Sequence, residues 1–292
     1  MSESLKSRLA VGLLNYLGKL PLVALHFLAK LTLIWVMLLP NRSRQQTRLN
    51  IERCWPELNP QQQAVLVRQS LLHTIYAALE MGINWTQPSQ QGLDSIKHVI
   101  GAEFLQQAQA EGGVVLLTPH LGNWELFANW AAHHALVTAL YTPAKLVGLD
   151  QLIYKARTNA GMQLAPASVK GVMQLKRALL KGQVNLILPD QEPPPQAGII
   201  SSWFNQPACT MTLASQLANT KNTRILMGFA RRLESSQGFA IELEDISYEC
   251  QKIHIEDSVV ALNLAIERLV RRVPEQYQWE YRRFKHTLEQ NT

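Results

Sequence analysis

His120 and Glu125 are the residues of this sequence whose types and spacing could move a proton. They fall in the stretch 114–125, Val-Val-Leu-Leu-Thr-Pro-His-Leu-Gly-Asn-Trp-Glu. A neutral imidazole accepts a proton near pH 7 because its ordinary pKa is about 6.5. A carboxylate on the far ring nitrogen fixes the tautomer and steadies the imidazolium that forms, the orienting role in a catalytic triad. The local run holds no Ser or Cys to act as nucleophile, so the hydroxyl to be activated would belong to a substrate. The same spacing is also met by a histidine at a turn and an acid in the first turn of a helix, where acids are favoured anyway.

The elements around the pair decide whether it can work. The apolar run 114–117, bounded by glycines before and Thr118-Pro119 after, reads as a buried strand, and 124–134 suits an amphipathic helix. His120 would then stand at the carboxyl end of a strand, where open α/β sheets bind their ligands. Further strands are expected at 137–141, 184–188, 225–230 and 239–243, with helices at 102–109, 149–160, 169–181, 211–218 and 259–272. That alternation is the signature of an α/β sheet flanked by helices. Asn59-Pro60 opens a long helix running to about Trp85, with Pro at the first helical position.

The N-terminal stretch 9–40 is dominated by Leu, Val, Ala, Phe, Trp and Ile. Its densest part, 20–39, is long enough to cross a hydrocarbon core as one helix. Lys30 opposes this, since a central cation costs roughly 2.5–3.5 kcal/mol on insertion scales. A single tilted span and a helical pair lying in the interface both remain open, beside a buried core helix. Arg42, Arg44, Arg48 and Arg53 follow the run, which places the bulk of the chain on the cytoplasmic side by the positive-inside rule. The expected organisation is a membrane anchor at 1–40, a helical connector at 41–92 with its basic part at 41–58, and an α/β domain at 93–292.

The 292 residues are 47% hydrophobic and only 17% charged, so a sizeable core is available. A net charge of +6 suits an anionic partner, whether nucleic acid or anionic lipid. No helix-turn-helix, zinc or aromatic RNA-binding signature supports nucleic acid. The three cysteines, Cys54, Cys209 and Cys250, lie far apart without a CxxC spacing, which fits a reducing compartment and no zinc site. A metal hydrolase built on His120, Glu125, His133 and His134 meets the objection that adjacent helical residues point about 100° apart.

The segment Thr118 to Glu125 resembles the His-x4-(Asp/Glu) motif of the glycerolipid acyltransferase superfamily, and its Gly-Asn-Trp-Glu is similar to that of the bacterial lipid A late acyltransferases. The likeness continues through Tyr141-Thr142-Pro143, Arg157 with Gly161, Leu188-Pro189-Asp190-Gln191, and the run from Trp203 to Thr210. It ends at Pro274-Glu275-Gln276-Tyr277-Gln278-Trp279 and Arg282-Arg283-Phe284-Lys285. The resemblance implies a glycerolipid-acyltransferase-like sheet and transfer of a fatty chain from acyl carrier protein to a hydroxyacyl hydroxyl on a lipid A precursor. It places this at the inner face of the bacterial inner membrane, among its phospholipids, with no metal and no cofactor beyond the acyl donor. By the same likeness His120 is the general base, Glu125 its orienting partner and Arg157 an active-site arginine. Asp190 and Gln191 would line the same cleft, and Thr210, Trp279 and Arg282 would contact substrate.

The residues allow plainer roles beside these. Arg157 could be a surface ion pair, Asp190 a turn, Thr210 an N-cap, and Trp203, Phe204 and Trp279 core. The tail cations Arg268, Arg271, Arg272, Arg282, Arg283 and Lys285 could form a rim for phosphates or an acidic carrier, or a solvated helix face. Two departures bear on substrate. Thr142 replaces the usual arginine of Tyr-Arg-Pro, which leaves room for a related acyltransferase acting on another lipid (a glycolipid, an ornithine lipid or a lysophospholipid). Asn205 stands where the family has Gly, and Asn tolerates the left-handed backbone best after Gly.

Overall fold

The computed structural model describes residues 4–252 and 254–288. Helices α1 (Leu5–Leu17), α2 (Leu22–Leu38), α3 (Arg42–Cys54) and α4 (Pro60–Thr86) come first, followed by the short α5 (Ser89–Leu93). The chain then runs β1 (Ile96–Ile100), α6 (Ala102–Glu111), β2 (Gly113–Leu117), α7 (Trp124–His134), β3 (Val137–Tyr141), α8 (Val147–Asn159), β4 (Gln163–Pro166), α9 (Val169–Leu180) and β5 (Val184–Ile187). A hairpin of β6 (Gly198–Trp203) and β7 (Gln206–Met211) precedes α10 (Leu213–Ala218), β8 (Thr223–Arg232), β9 (Phe239–Asp245), α11 (Ser247–Cys250) and α12 (Ile255–Arg272).

Seven strands form one sheet in the order β1-β9-β8-β2-β5-β3-β4, parallel except where β8 meets β9. The expected α/β class and the five expected strands are therefore present. β1, β4 and the hairpin are additional. Along β2 the side chains alternate between two cores. Val115 and Leu117 pack with α9, α10 and α12, whereas Val114 and Leu116 pack with α6 and α7. A sheet covered on both faces explains why its central strands read as continuous apolar runs.

The stretch 41–58, read as a basic connector, is mostly helix: α3 is capped by Asn41, whose side chain accepts from the Arg44 backbone N–H. α4 begins with a reciprocal capping box between Asn59 and Gln62. Leu66, Val67 and Leu71 of α4 share one core with Leu269 of α12 and with Trp203 and Tyr277.

The N-terminal apolar run breaks into two helices. A Cβ on Gly18 would meet the Gly82 carbonyl oxygen at 2.4 Å, so only glycine lets the end of α1 approach α4 this closely. Pro21 then caps α2. With 17 residues α2 is about 26 Å long, short of a hydrocarbon core of about 30 Å. Among the described residues no single helix is long and apolar enough to cross a membrane; α2 and α3 pass together only as a pair bent by 85°. α2 turns Leu25, His26, Ala29 and Leu33 inward and leaves Val23, Phe27, Ile34, Trp35 and Leu38 exposed. α1 likewise exposes Leu5, Leu9, Leu13 and Tyr16, and Lys30 faces outward.

Candidate active site

Three adjacent parallel strands deliver the site residues at their carboxyl ends: β2 leads to His120, β3 to Thr142, and β5 to Asp190 and Gln191. In the β2–β5 register Leu117 stands opposite Ile187, so the residues three steps beyond each strand also meet. Those residues are His120 and Asp190.

Asp190 holds the histidine twice. One carboxylate oxygen accepts from the His120 backbone N–H at 2.9 Å, and the other accepts from ring Nδ1 at 2.9 Å. Burial pushes the Asp190 carboxyl up, but the facing imidazole and these hydrogen bonds outweigh it and hold the group below the usual carboxylate range. An ionised carboxylate only accepts, so in the neutral ring the proton sits on Nδ1 and Nε2 carries the lone pair. The Gln191 side-chain amide, 3.2 Å from Nε2, donates to it. This is the tautomer a general base requires.

Glu125 is not the orienting partner expected for His120. Its buried carboxylate accepts from Arg157, at 3.3 Å from Nε and by a shorter bond from Nη2. The reason is the turn between them. Gly122 has φ +61°, and a Cβ there would meet the Ala230 carbonyl oxygen at 2.1 Å. Asn123 then caps α7 through the Leu126 N–H, which starts the helix with Glu125 facing α8. Burial lowers the Arg157 guanidinium pKa, but the Glu125 charge and hydrogen bond outweigh it and raise it, so the cation is permanent.

His120, Glu125, Arg157, Thr142 and Gln191 line one cleft of about 530 Å³, whose remaining wall includes Ala128, Ala139, Leu140, Met162 and Leu186. The reactive groups thus stand beside a mostly aliphatic surface. The backbone amides of the histidine loop are already engaged. His120 donates to Asp190, Leu121 to Pro119, Gly122 to Gln276 and Asn123 to Ala230.

Three expected contact residues lie elsewhere. Thr210 does not open a helix; it is a buried β7 residue whose hydroxyl accepts from Arg283 at 2.7 Å and pairs with Asn263, while α10 begins after Thr212. Trp279 is 2% exposed, donates its ring N–H to the Pro274 carbonyl, and packs with Trp55, Phe204 and Tyr277. Arg282 is exposed and does not line the cleft. The α12 cations are paired rather than arrayed as a rim: Arg268 with Glu249 and Glu244, Arg272 with Glu244, and Arg271 over Trp55 and Phe204. Asn205 does adopt the left-handed backbone, φ +58°, in the two-residue β6–β7 turn. Among the described residues no group of His, Cys, Asp and Glu could hold a metal ion.

Two contributions were hidden in the sequence. Tyr277 packs against Asp190; burial and that carboxylate raise its hydroxyl well above its ordinary pKa, so it stays a donor. Glu80 of α4 is buried against Arg232, His26 and Asn123, tying α2, α4 and β8 to the cap of α7. Only the tail motif around Tyr277 offered a signal, and Glu80 offered none beyond an acid on an apolar helix.

The strand ends thus bring together an imidazole hydrogen-bonded to a buried carboxylate, a cation and an aliphatic cleft in an α/β fold. The chain belongs to the bacterial lipid A biosynthesis acyltransferase family, which matches residues 3–286. It is 26% identical over 242 residues to the lipid A biosynthesis lauroyltransferase of Escherichia coli, covering 81% of this chain and 77% of that protein. It is 25% identical over 283 residues to the lipid A biosynthesis palmitoleoyltransferase of the same organism, covering 94% and 89%. A lipid A biosynthesis acyltransferase of Haemophilus influenzae is 24% identical over 251 residues, covering 84% and 77%.

Proposed function

We propose that the chain transfers a fatty acyl group from acyl carrier protein to the hydroxyl of a hydroxyacyl chain on a lipid A precursor, with His120 as general base. The observation that carries this reading is the His120–Asp190 pair, with His120 lining a mostly aliphatic cleft. Asp190, rather than Glu125, is the orienting carboxylate. The acceptor hydroxyl displaces the Gln191 amide and gives its proton to Nε2, while its oxygen bonds to the thioester carbonyl carbon. The tetrahedral oxyanion collapses, the C–S bond breaks, and the thiolate leaves with the proton from the imidazolium. The products are an ester and a free thiol. No cofactor is needed beyond the acyl donor.

With the loop amides occupied, Arg157 is the donor we assign to the oxyanion or to a substrate phosphate, with Glu125 holding it in place. Arg157→Ala is expected to lower kcat by about 10²–10³-fold, the usual effect of losing one such donor. Steady-state kinetics on the purified protein reads this, and an unchanged rate would reduce Arg157 to a structural partner of Glu125.

The exposed apolar stripes of α1 and α2, flanked by Lys6, Lys19, Lys30, Arg42 and Arg44, support seating on an anionic bilayer. We place it on the cytoplasmic side of the inner membrane. Thr142 on the cleft wall supports the second reading, the same chemistry on another lipid. Acyl carrier protein charged with laurate, set against acyl-CoA, and tetra-acylated lipid A precursor, set against lysophospholipid, separate the two. The first reading requires acylated lipid A precursor; product from lysophospholipid alone refutes it.

A further inference from the structure

A second apolar groove, about 300 Å³, lies against the cleft, with the Trp124 side chain as a wall common to both. Its sides come from Ala77, Ala78 and Met81 on α4 and from Tyr277 and Gln278 of the tail. It is built on the same loop as the base. Trp124 lies beside the His120 ring, with centroids 5.1 Å apart, and the Gln278 backbone N–H donates to the His120 carbonyl at 3.0 Å. Two residues lining the groove, Trp85 and Gln278, each hold a buried polar atom (Nε1 and Oε1) with no hydrogen-bond partner.

A base must lie within hydrogen-bond reach of the proton it takes, so the donor thioester and the acceptor hydroxyl must converge on Nε2. When the hydroxyl sits within a fatty chain, each reactant brings its own alkyl tail. Two tails meeting at one nitrogen call for two apolar channels divided near that nitrogen. We infer that the α4 groove holds the alkyl tail of the hydroxyl-bearing acceptor chain, while the cleft across Trp124 holds the donor's. The inference rests on the acyl transfer proposed above and names the channel that selects the acceptor.

Ala78 is exposed on α4, so a large side chain there fills the groove without entering the core. The test is kinetics of the full chain in detergent micelles, with a series of acceptors differing in the length of the hydroxyl-bearing chain. Shortening that chain by several methylenes should lower wild-type kcat/KM by about tenfold or more. Ala78→Trp should show a similar loss with the full-length acceptor and little further loss on shortening. Ala78→Leu should fall between, and the KM for the acyl donor should stay unchanged in both variants. Wild-type acceptor-length dependence in Ala78→Trp would overturn the inference, as would a change confined to donor-length preference. No transfer by the wild type to any hydroxyl-bearing lipid would instead refute the catalytic reading, so the two failures are distinguishable.

Discussion

Asp190→Asn should lower kcat by about 10⁴-fold while leaving the protein folded, because asparagine keeps the shape of the side chain but loses its charge. The amide can turn its NH₂ toward Nδ1, which then accepts, and the proton moves to Nε2. An imidazole protonated on Nε2 has no lone pair for the acceptor hydroxyl. The His120 backbone N–H can still donate to the amide oxygen, so the loop stays in position. Glu125→Gln should act differently. It removes the charge that holds Arg157 and leaves the His120 tautomer untouched, so its loss should resemble that of Arg157→Ala. Equal kcat for Asp190→Asn and wild type would remove the carboxylate from the mechanism.

The second large effect is on stability. Glu80 and Arg232 are both almost wholly buried, and Arg232 Nε and Nη2 reach the carboxylate at 2.7–2.9 Å. Glu80→Ala leaves a buried guanidinium without its counter-charge, which typically costs about 3–5 kcal/mol. It also removes the acceptor for His26 and Asn123, loosening α2 and the cap of α7 together. Burial raises the Glu80 pKa, but the Arg232 charge and the hydrogen bonds from His26 and Arg232 outweigh it, lowering it from 4.5 to about 2. A depressed carboxyl stabilises the fold fully above its unfolded pKa. The contribution is therefore present above about pH 4.5 and is lost as pH falls toward 2. Denaturant midpoints of wild type and Glu80→Ala should differ widely at pH 7 and converge on acidification. A constant gap down to the lowest pH at which both fold would contradict this.

What the sequence shows and what it hides divide along the range of the interactions. The central strands are legible because a sheet buried on both faces turns β2 into an unbroken apolar run and β5 into one broken only by Asn185. β1 carries no continuous apolar signal because Ile96–Ile100 is an edge strand with mostly exposed side chains. The hairpin is not legible because Thr210 ahead of the helix-like run 211–218 imitates a helix cap, whereas its pairing with Ile199 lies across a turn. α3 is hard to read because only Ile51 and Cys54 of its buried face are apolar, beside Thr47 and Asn50.

The partner of His120 is hidden from the sequence for the same reason. Glu125 is five residues away along the chain, whereas Asp190 is seventy away and arrives only because β2 and β5 are neighbours in register. Of the residues that the family likeness singles out, His120, Arg157 and Gln191 line one cleft, while Asp190 is buried and reaches it only through His120; a likeness of motifs does not say which carboxylate faces which imidazole. The same limit applies to Trp279 and Thr210, whose motifs mark buried packing and hydrogen bonding.

The base itself is best tested by single-turnover transfer of a labelled laurate from acyl carrier protein to a tetra-acylated lipid A precursor, comparing wild type with His120→Ala. Loss of a positioned base predicts a rate lower by at least about 10²–10⁴-fold, with acceptor binding retained. Transfer by His120→Ala at the wild-type rate would show that this imidazole does not take the proton.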